Sequence, residues 1–466
     1  MTLTSPSLAG RGVSWWYRLS LGHGTAEILL YVGLALLAGA WLGLGRTISG
    51  AADPSLNELR LLGAAWCAPL LASAPLFSHD VYSYLAQGTI LHLGLNPYHT
   101  VPAALTGLGR QHLLAGVSPF WRHTTAPYGP LFLGGVSAIV SFTGSHTTAG
   151  VLLLRGLELG GAILLAIFVP RLARSLGSDP RRALWLAVLS PLVLVQLIGA
   201  GHNDALMAGL TVTGVTLAVR GSPLTGIALC AVAATVKLPA AVAMLFIAVT
   251  WARSMPDRRQ ALVALSRSAA VAVGVLVLVS LVIGVGADWI STTVFSTPER
   301  VRLAITPATA VGRTLAGLMH DAGAMVNARS LEAALAGGAF ALTVAAGMIV
   351  LWRTRAETMV RNLGLLLLAA AVTGPAAWPW YLSWGLVLVA ACAGLQRSPV
   401  LALTAVVSVF LVKPDGILAL PLSSAPVVLG VYALVAAGAW HRWKRRSGEQ
   451  RTGELGAAGS SVLAES

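Results

Sequence analysis

Residues Ala26–Arg46, AEILLYVGLALLAGAWLGLGR, carry only two charges, Glu27 and Arg46, and both stand at the ends of the run. About 20 apolar residues in a row is the length a helix needs to cross a hydrocarbon layer about 30 Å thick. Runs of the same kind follow at 58–77, 127–144, 149–170, 183–199, 203–219, 222–235, 238–252, 264–287, 330–352, 361–377, 381–396, 399–412 and 424–440. Several are shorter than a full crossing. The 222–252 stretch reads as one broken helix or a tight pair, and 381–412 is ambiguous in the same way. The expectation is an all-α polytopic membrane protein with about 13 transmembrane helices, within a range of 12 to 14.

Composition agrees. Mean hydropathy is +0.77 and 56% of residues are hydrophobic, while 10% are charged, against about 25% in soluble domains. A soluble α/β protein would lack the polar surface to cover such a core. No small-residue cleavage site follows the first run, which therefore reads as a retained span and not a signal peptide. Cys67, Cys230 and Cys392 are far apart in apolar runs, with no CxxC spacing, and read as small core residues.

The net charge of +14 raises the question of nucleic acid, and its distribution answers it. The cations cluster in connectors: Arg11 and Arg18; Arg171, Arg174, Arg181 and Arg182; Arg253, Arg258 and Arg259; Arg353, Arg355 and Arg361; Arg442, Lys444, Arg445 and Arg446. Clusters flanking apolar spans orient a membrane protein. No basic amphipathic or aromatic-interleaved surface suits nucleic acid. Lys237 and Lys413 are the only lysines outside the tail, and both lie in apolar contexts.

The chain divides into an N-terminal segment 1–25, a transmembrane domain 26–440 and a tail 441–466, basic at first and then Gly/Ser/Glu-rich. Two connectors are long: 78–126, with several histidines and aromatics, and 288–328, Thr/Pro-rich with Glu299, Arg300 and Arg302. No internal repeat is evident, which weighs against a transporter built from duplicated halves. Topology carries a conflict. If the Arg-rich connector 171–182 is cytoplasmic, one crossing places Gly201–Asp204 outside, yet counting back places 78–126 inside. Either a segment between 127 and 199 re-enters, or a boundary is displaced. The 149–170 run draws attention because Arg155 and Glu158 interrupt it, at i and i+3, where they could pair.

The polar residues gather at helix ends. The densest group is Ser78-His79-Asp80-Val81-Tyr82-Ser83-Tyr84, followed by Leu95-Asn96-Pro97-Tyr98. Asp80 follows an apolar span, where thinning water raises a carboxyl pKa into the range useful for proton abstraction. A helix over 80–92 would set Asp80, Tyr84 and Gln87 on one side; the plain alternative is an interfacial aromatic belt with a capping aspartate. Ser118-Pro-Phe-Trp121-Arg122-His123 and Ala126-Pro-Tyr128-Gly-Pro130 come next. Arg122 offers a planar fork for phosphate oxygens, while Trp121 and Tyr128 would stack on a sugar or anchor the interface. Pro127 and Pro130 suit the first turn of the following helix.

Gly201-His202-Asn203-Asp204 stands between two apolar helices. A simple cap needs one Asp or Asn, not three polar residues together, so these three are candidates for binding an acceptor or supporting the base. Lys237, in Thr235-Val-Lys-Leu-Pro239, either lies near a lipid phosphate or snorkels to the interface. Trp378-Pro-Trp380-Tyr381 and Lys413-Pro-Asp415 are later clusters of the same kind. There is no P-loop and no GxGxxG after a strand, so direct use of a nucleotide or nucleotide sugar is not expected. No cofactor is implied; a divalent cation at His79 and Asp80 has no spaced ligand motif behind it. A lipid-phosphate sugar suits such a site, because its leaving group is already a phosphate and one base suffices.

At these residues the chain resembles the actinobacterial polyprenol-phosphomannose-dependent α-(1→6)-mannosyltransferases, which have the C-type glycosyltransferase membrane fold. The matching stretches are His79–Gly88, Gly94–Tyr98, Ser118–Trp121, Ala126–Pro130, Gly201–Met207, Val236–Pro239 and Trp380–Tyr381. The likeness covers roughly 25–440 and grows vaguer beyond 290. It implies interfacial helices in a long outer loop and a plasma-membrane enzyme whose site faces away from the cytoplasm. It also implies a polyprenyl-phosphate-mannose donor, a mannan or glycolipid acceptor on the path to lipomannan and lipoarabinomannan, and inversion at the anomeric carbon. Asp80 falls on the family's acid, with His79, Tyr82 and Tyr84 as supports; Asn96, Tyr98, Trp121, Arg122, Tyr128, His202, Asn203, Asp204, Lys237, Trp380 and Tyr381 complete the expected substrate site. Asn96 stands where an aspartate is expected, which removes a second charge and weakens a paired-carboxylate or metal scheme. The rival class is a transporter or flippase for a lipid-linked glycan, and a transferase for another lipid-linked sugar is the alternative within enzymes. Oligomeric state is left open.

Overall fold

The computed structural model describes residues 23–48, 54–293, 306–374, 377–414, 416, 425–430 and 433. Glu299, Arg300, Arg302, Asp415, the tail 441–466 and most of 1–25 lie outside them. The described chain is helical. In order come α1 (His23–Thr47), α2 (Leu56–Ala72), α3 (Asp80–His92), α4 (Pro119–Arg122), α5 (Pro130–Thr143), α6 (Thr147–Ser175) and α7 (Pro180–Ala187). A π-helical segment, Leu192–Gly199, leads to α8 (Asp204–Val219), α9 (Pro223–Ala234), α10 (Ala241–Arg253), α11 (Arg258–Ile283) and α12 (Asp288–Ser291). The last are α13 (Pro307–Asp321), α14 (Ala328–Arg353), α15 (Met359–Thr373), α16 (Ser383–Val389) and α17 (Pro399–Val407). Among the described residues, contacts group 23–293 with 340–416 as one compact unit, and 306–339 with 425–433 as another. Within the second, Arg313 Nε lies 3.0 Å from Glu332 Oε1.

Among the described residues, five helices are long and apolar enough to cross a membrane: Glu27–Thr47, Thr147–Ser175, Arg258–Ile283, Ala328–Arg353 and Ala356–Thr373. Pro180–Ala187 and Leu192–Gly199, bent by 52° at their junction, make a sixth if taken as one span. The other expected crossings correspond mostly to apolar helices of 10–17 residues, such as Asp204–Val219 and Pro223–Ala234. The count of about 13 treated those short runs as crossings. Exposed Leu262, Val273, Val277, Leu281 and Val282 on α11, with Leu342, Met348 and Ile349 on α14, form lipid-suited surface. The protein is a polytopic membrane protein.

The interior is closed by small residues and by polar groups that satisfy backbone. A Cβ on Gly161 of α6 would lie 2.4 Å from the Ala205 carbonyl, and one on Gly209 of α8 would lie 2.4 Å from the Gly161 oxygen. The two helices therefore touch backbone to backbone, the packing that small residues allow between membrane helices. Trp41 and Trp185 stack at 4.5 Å, and each indole donates to the other's carbonyl at 2.9 and 2.8 Å, pinning α1 on α7.

Arg155 corrects an expectation. It does not pair with Glu158; its guanidinium donates to the carbonyls of Leu71, Ser73 and Gly199. These are carbonyls at the ends of α2 and the π-helical segment, left over when a helix stops. Glu158 instead accepts the Leu206 backbone N–H at 3.3 Å. The 149–170 run singled out for re-entry belongs to a continuous 29-residue helix. The irregular pieces between 127 and 199 are α5, about 21 Å long at 14 residues, and the bent pair.

Candidate active site

The site is built where α2 ends, α3 begins and the π-helical segment turns into α8. Phe77, buried, has φ 58°, the one non-glycine residue in the left-handed region among the described residues. That conformation costs roughly 1–3 kcal/mol, and it turns the chain so that Ser78, His79 and Asp80 enter the interior. Gly201, at φ +76°, does the same for His202, and a Cβ there would meet Val81 at 2.7 Å. Tertiary contact around both turns holds the two motifs side by side.

Asp80 is the first residue of α3 and is 9% exposed. The helix forms over the expected residues but is buried on nearly every side, not laid over a surface. Its backbone N–H donates to Ser78 Oγ at 3.1 Å, and Trp121 and Ser78 hydrogen-bond to its carboxylate. Burial raises the carboxyl to about 6, with Lys237 pulling it down and Asp204 pushing it up.

His202, fully buried, lies with Nε2 3.0 Å from Ser78 Oγ and 3.6 Å from Asp80 Oδ2. Its Nδ1 is 2.6 Å from the Gln196 carbonyl, and its ring stacks on Trp380 at 3.9 Å. Burial pushes its pKa down to about 4, so the contact with Asp80 is between a neutral ring and a carboxyl. The motif 78–84 and the motif 201–204 thus share one site.

Asp204 is not a helix cap. Both its oxygens take Lys237 Nζ, at 2.9 and 2.8 Å, and the Trp384 indole donates to Oδ1. Lys237 in turn lies 4.6 Å from the Tyr381 ring centre and 5.6 Å from that of Trp384. It does not snorkel: it is buried, paired and walled by aromatics. Asn203, fully buried, has an amide with no hydrogen-bond partner among the described residues.

Other expected residues have supporting places. Tyr84 packs edge-on against Tyr128 and Phe132, each at 4.9 Å, and the Tyr98 hydroxyl donates to the Tyr128 carbonyl at 2.8 Å. Asn96 Oδ1 accepts the Tyr98 N–H at 2.9 Å, a local turn bond. His79 Nδ1 donates to the Gly116 carbonyl at 2.8 Å, and the Tyr82 ring lies against Gly116, so both brace the 111–117 loop. Arg122 directs its guanidinium to the carbonyls of Leu114 at 2.9 Å and Val117 at 3.2 Å, tying the same loop. Sequence reasoning passed over Ser78 and Trp384. Ser78 opens the 78–84 motif but was given no role there, and Trp384 lies one helical turn after Tyr381.

A buried carboxyl of raised pKa, a neutral imidazole, an ion pair and an aromatic wall, set in a polytopic membrane protein, make up a candidate acid–base site. The comparisons place it in a family. Residues 1–253 match the family described as "Alpha-(1->6)-mannopyranosyltransferase, N-terminal domain", and 306–444 match "MptB C-terminal domain". Alpha-(1->6)-mannopyranosyltransferase A of Mycobacterium tuberculosis is 36% identical over 432 residues, which is 88% of this chain and 80% of that protein. Alpha-(1->6)-mannopyranosyltransferase A of Corynebacterium glutamicum is 38% identical over 240 residues, 49% of this chain and 48% of that protein. Alpha-(1->6)-mannopyranosyltransferase B of the same organism is 28% identical over 451 residues, 89% of this chain and 74% of that protein. No solved structure gives a significant match. The chain belongs to the α-(1→6)-mannopyranosyltransferase family and is a membrane glycosyltransferase.

Proposed function

We propose that this protein moves mannose from a polyprenyl-phosphate-mannose donor to the 6-hydroxyl of a mannan or glycolipid acceptor, with inversion, building an α-(1→6)-mannan backbone of lipomannan and lipoarabinomannan. The observation that carries the reading is Asp80: a buried carboxyl at the start of α3, raised to about 6, with Ser78, Trp121 and His202 around it. The proposed setting is a C-type glycosyltransferase fold in the plasma membrane with the site facing away from the cytoplasm.

In the proposed reaction the acceptor O6–H bond breaks and its proton passes to an Asp80 oxygen. The freed electron pair forms the O6–C1 bond with mannose. The C1–O bond to phosphate breaks on the opposite face, and the polyprenyl phosphate leaves with that pair. A phosphate leaves without protonation, so no general acid is required. Lys237, fixed by Asp204, is the cation proposed for the phosphate. Arg122 is committed to loop carbonyls and is assigned to holding Trp121 beside Asp80. Tyr381, Trp384 and Trp380 give apolar faces suited to a sugar, and Asn203 retains hydrogen-bonding capacity for its hydroxyls.

The test is a transfer assay in nanodiscs with mannosyl phosphopolyprenol and a short α-(1→6)-mannoside, with mass and linkage analysis. Wild type is expected to extend the acceptor through new α-(1→6) bonds, and Asp80→Asn to lose activity by a factor of about 10² or more. A folded Asp80→Asn protein with full transfer refutes the assignment of the base. Failure of wild type with every lipid-linked sugar, together with protein-dependent translocation of lipid, refutes the transferase reading.

A further inference from the structure

The charges can be followed through the proposed reaction. Asp80 begins as a carboxylate and ends protonated, while the donor's phosphate begins as a singly charged diester and leaves as a monoester able to carry a second charge. Transfer therefore moves negative charge from Asp80 to the phosphate, and a cation at the phosphate counts most as that charge develops. The cations already described are committed. Lys237 Nζ is taken by both Asp204 oxygens, at 2.9 and 2.8 Å, so that pair is neutral as a whole. Arg122 donates to the carbonyls of Leu114 and Val117, and Arg155 to those of Leu71, Ser73 and Gly199. Lys413 is different. The chain reaches it through Val409 and Val412, both fully buried in one apolar cluster with Phe77 and Trp380. The Gly416 N–H then donates to the Lys413 carbonyl at 2.9 Å and closes a turn, with Gly416 at φ +80°. A Cβ on Gly416 would lie 3.5 Å from the Phe77 oxygen and 3.6 Å from Ser78 Cα and from His79 Cδ2, so the turn rests on the residues that lead into Asp80. Turn ends stand within about 7 Å of each other, which sets the start of the Lys413 stem close to the same residues. Lys413 itself is exposed and has no hydrogen bond or ion pair among the described residues.

We infer that Lys413 is a phosphate-binding residue: from a turn seated on Phe77–His79, its ammonium takes the phosphate of the lipid donor and stays with it as the polyprenyl phosphate leaves. The role rests on the proposed transfer from a lipid-phosphate donor, and adds to Lys237 a cation whose charge no described residue cancels. A lysine suits a departing phosphate because its charge is a point on a flexible stem that follows the group, whereas an arginine fork favours one geometry. The same ammonium chemistry serves an anionic headgroup of the bilayer, so the experiment separates the two sources of phosphate.

The experiment measures binding of a short-chain polyprenyl phosphate, with the matching polyprenol as the phosphate-free control, in nanodiscs of phosphatidylcholine alone. Full-length wild type, Lys413→Gln and Lys413→Arg are compared. Lys413→Gln is expected to bind the polyprenyl phosphate about tenfold or more weakly, the effect of losing one charge-assisted contact, and to bind polyprenol as wild type does. Lys413→Arg keeps the charge and most of the affinity. In the transfer assay Lys413→Gln raises KM for the donor and lowers kcat, with KM for the acceptor within about twofold of wild type. Its melting temperature stays at the wild-type value, as for substitution of an exposed side chain. Equal affinity of wild type and Lys413→Gln for the polyprenyl phosphate overturns the site, and so does a loss shared equally with polyprenol. A difference that appears only when phosphatidylglycerol is added to the nanodiscs also overturns it, and assigns the lysine to the bilayer. The binding arm needs no transfer. A wild type that binds the phosphate through Lys413 yet moves no sugar from any lipid-linked donor leaves this site standing and overturns the transferase reading instead.

Discussion

The buried pair Asp204–Lys237 gives a prediction that can be worked through in energies. Asp204 is wholly buried and Lys237 is 8% exposed. Asp204→Asn retains an oxygen for the Trp384 indole but leaves the ammonium without a counter-charge. Lys237→Met leaves a carboxylate holding one indole hydrogen bond, and forfeits the cation–aromatic contact with Tyr381 as well, itself worth about 0.5–2 kcal/mol. Breaking a buried pair from one side costs about 3–5 kcal/mol, because a charge is left uncompensated. The double variant Asp204→Asn/Lys237→Met has no charge to strand, so much of that cost returns. Each single variant is therefore expected to lose about 3 kcal/mol or more, with a coupling energy above about 2 kcal/mol. The assay is equilibrium unfolding in mixed micelles, followed by tryptophan fluorescence, for all four proteins. Single losses below about 1 kcal/mol that simply add in the double variant would show that the pair is incidental to the fold.

Four further outcomes follow from the same structure. Transfer activity is expected to fall on the acid side with a limb near pH 6, since Asp80 must be ionised to act and its carboxyl is raised to about 6; a flat profile from pH 5 to 7, within the window that shift defines, contradicts this. The sign for stability is the reverse. A carboxyl raised on folding contributes stability below its ordinary value of 3.8 that is lost as pH rises through about 6, so Asp80→Asn is expected to melt no lower than wild type at pH 7.5. Arg155→Met strands the carbonyls of Leu71, Ser73 and Gly199 and should cost about 3 kcal/mol or more, seen as a lower melting temperature, with Arg155→Lys a poor rescue because one ammonium lacks the planar fork. Gly161→Ala drives a methyl into the Ala205–Leu206 backbone and is expected to lower the melting temperature and reduce activity together, whereas Gly156→Ala, with nothing within 4 Å of its added Cβ, should do neither.

The helices and the site were legible in the sequence to different depths. In a chain this apolar, each polar residue inside or beside a run is conspicuous, which is why Asp80, His202, Asp204 and Lys237 stood out. Their pairing was not legible. Asp204 meets Lys237 because α8 and α9 pack as neighbours and the turn after α9 brings Lys237 back to the start of α8, a relation that spacing along the chain does not encode. Arg155 was matched to Glu158 by helical periodicity, whereas its partners are backbone oxygens, which have no signature in side-chain identity. Arg122, read as a phosphate clamp, likewise turns its guanidinium to backbone oxygens, those of Leu114 and Val117. The span count is open to reading for a related reason: an apolar run of 12–16 residues satisfies a hydropathy pattern whether it crosses the membrane or packs inside the protein.

The arrangement of charges also bears on what sets the base. Lys237 alone would favour the Asp80 carboxylate and weaken it as a base, and Asp204 alone would disfavour the carboxylate; the structure holds them 2.8 Å apart, as a pair. At Asp80 their effects oppose, so burial is the larger influence and keeps the carboxyl raised. A phosphate near Lys237 would change that balance, adding negative charge on the side where Asp204 already lies. The proton affinity of Asp80 would then rise when the proposed donor is in place, which is when the base is needed. It follows that the acid limb measured in kcat, with donor bound, should lie at higher pH than the limb in kcat/KM for the acceptor at low donor concentration. Equal limbs would mean that the phosphate is held too far from Asp80 for the Asp204–Lys237 pair to connect them.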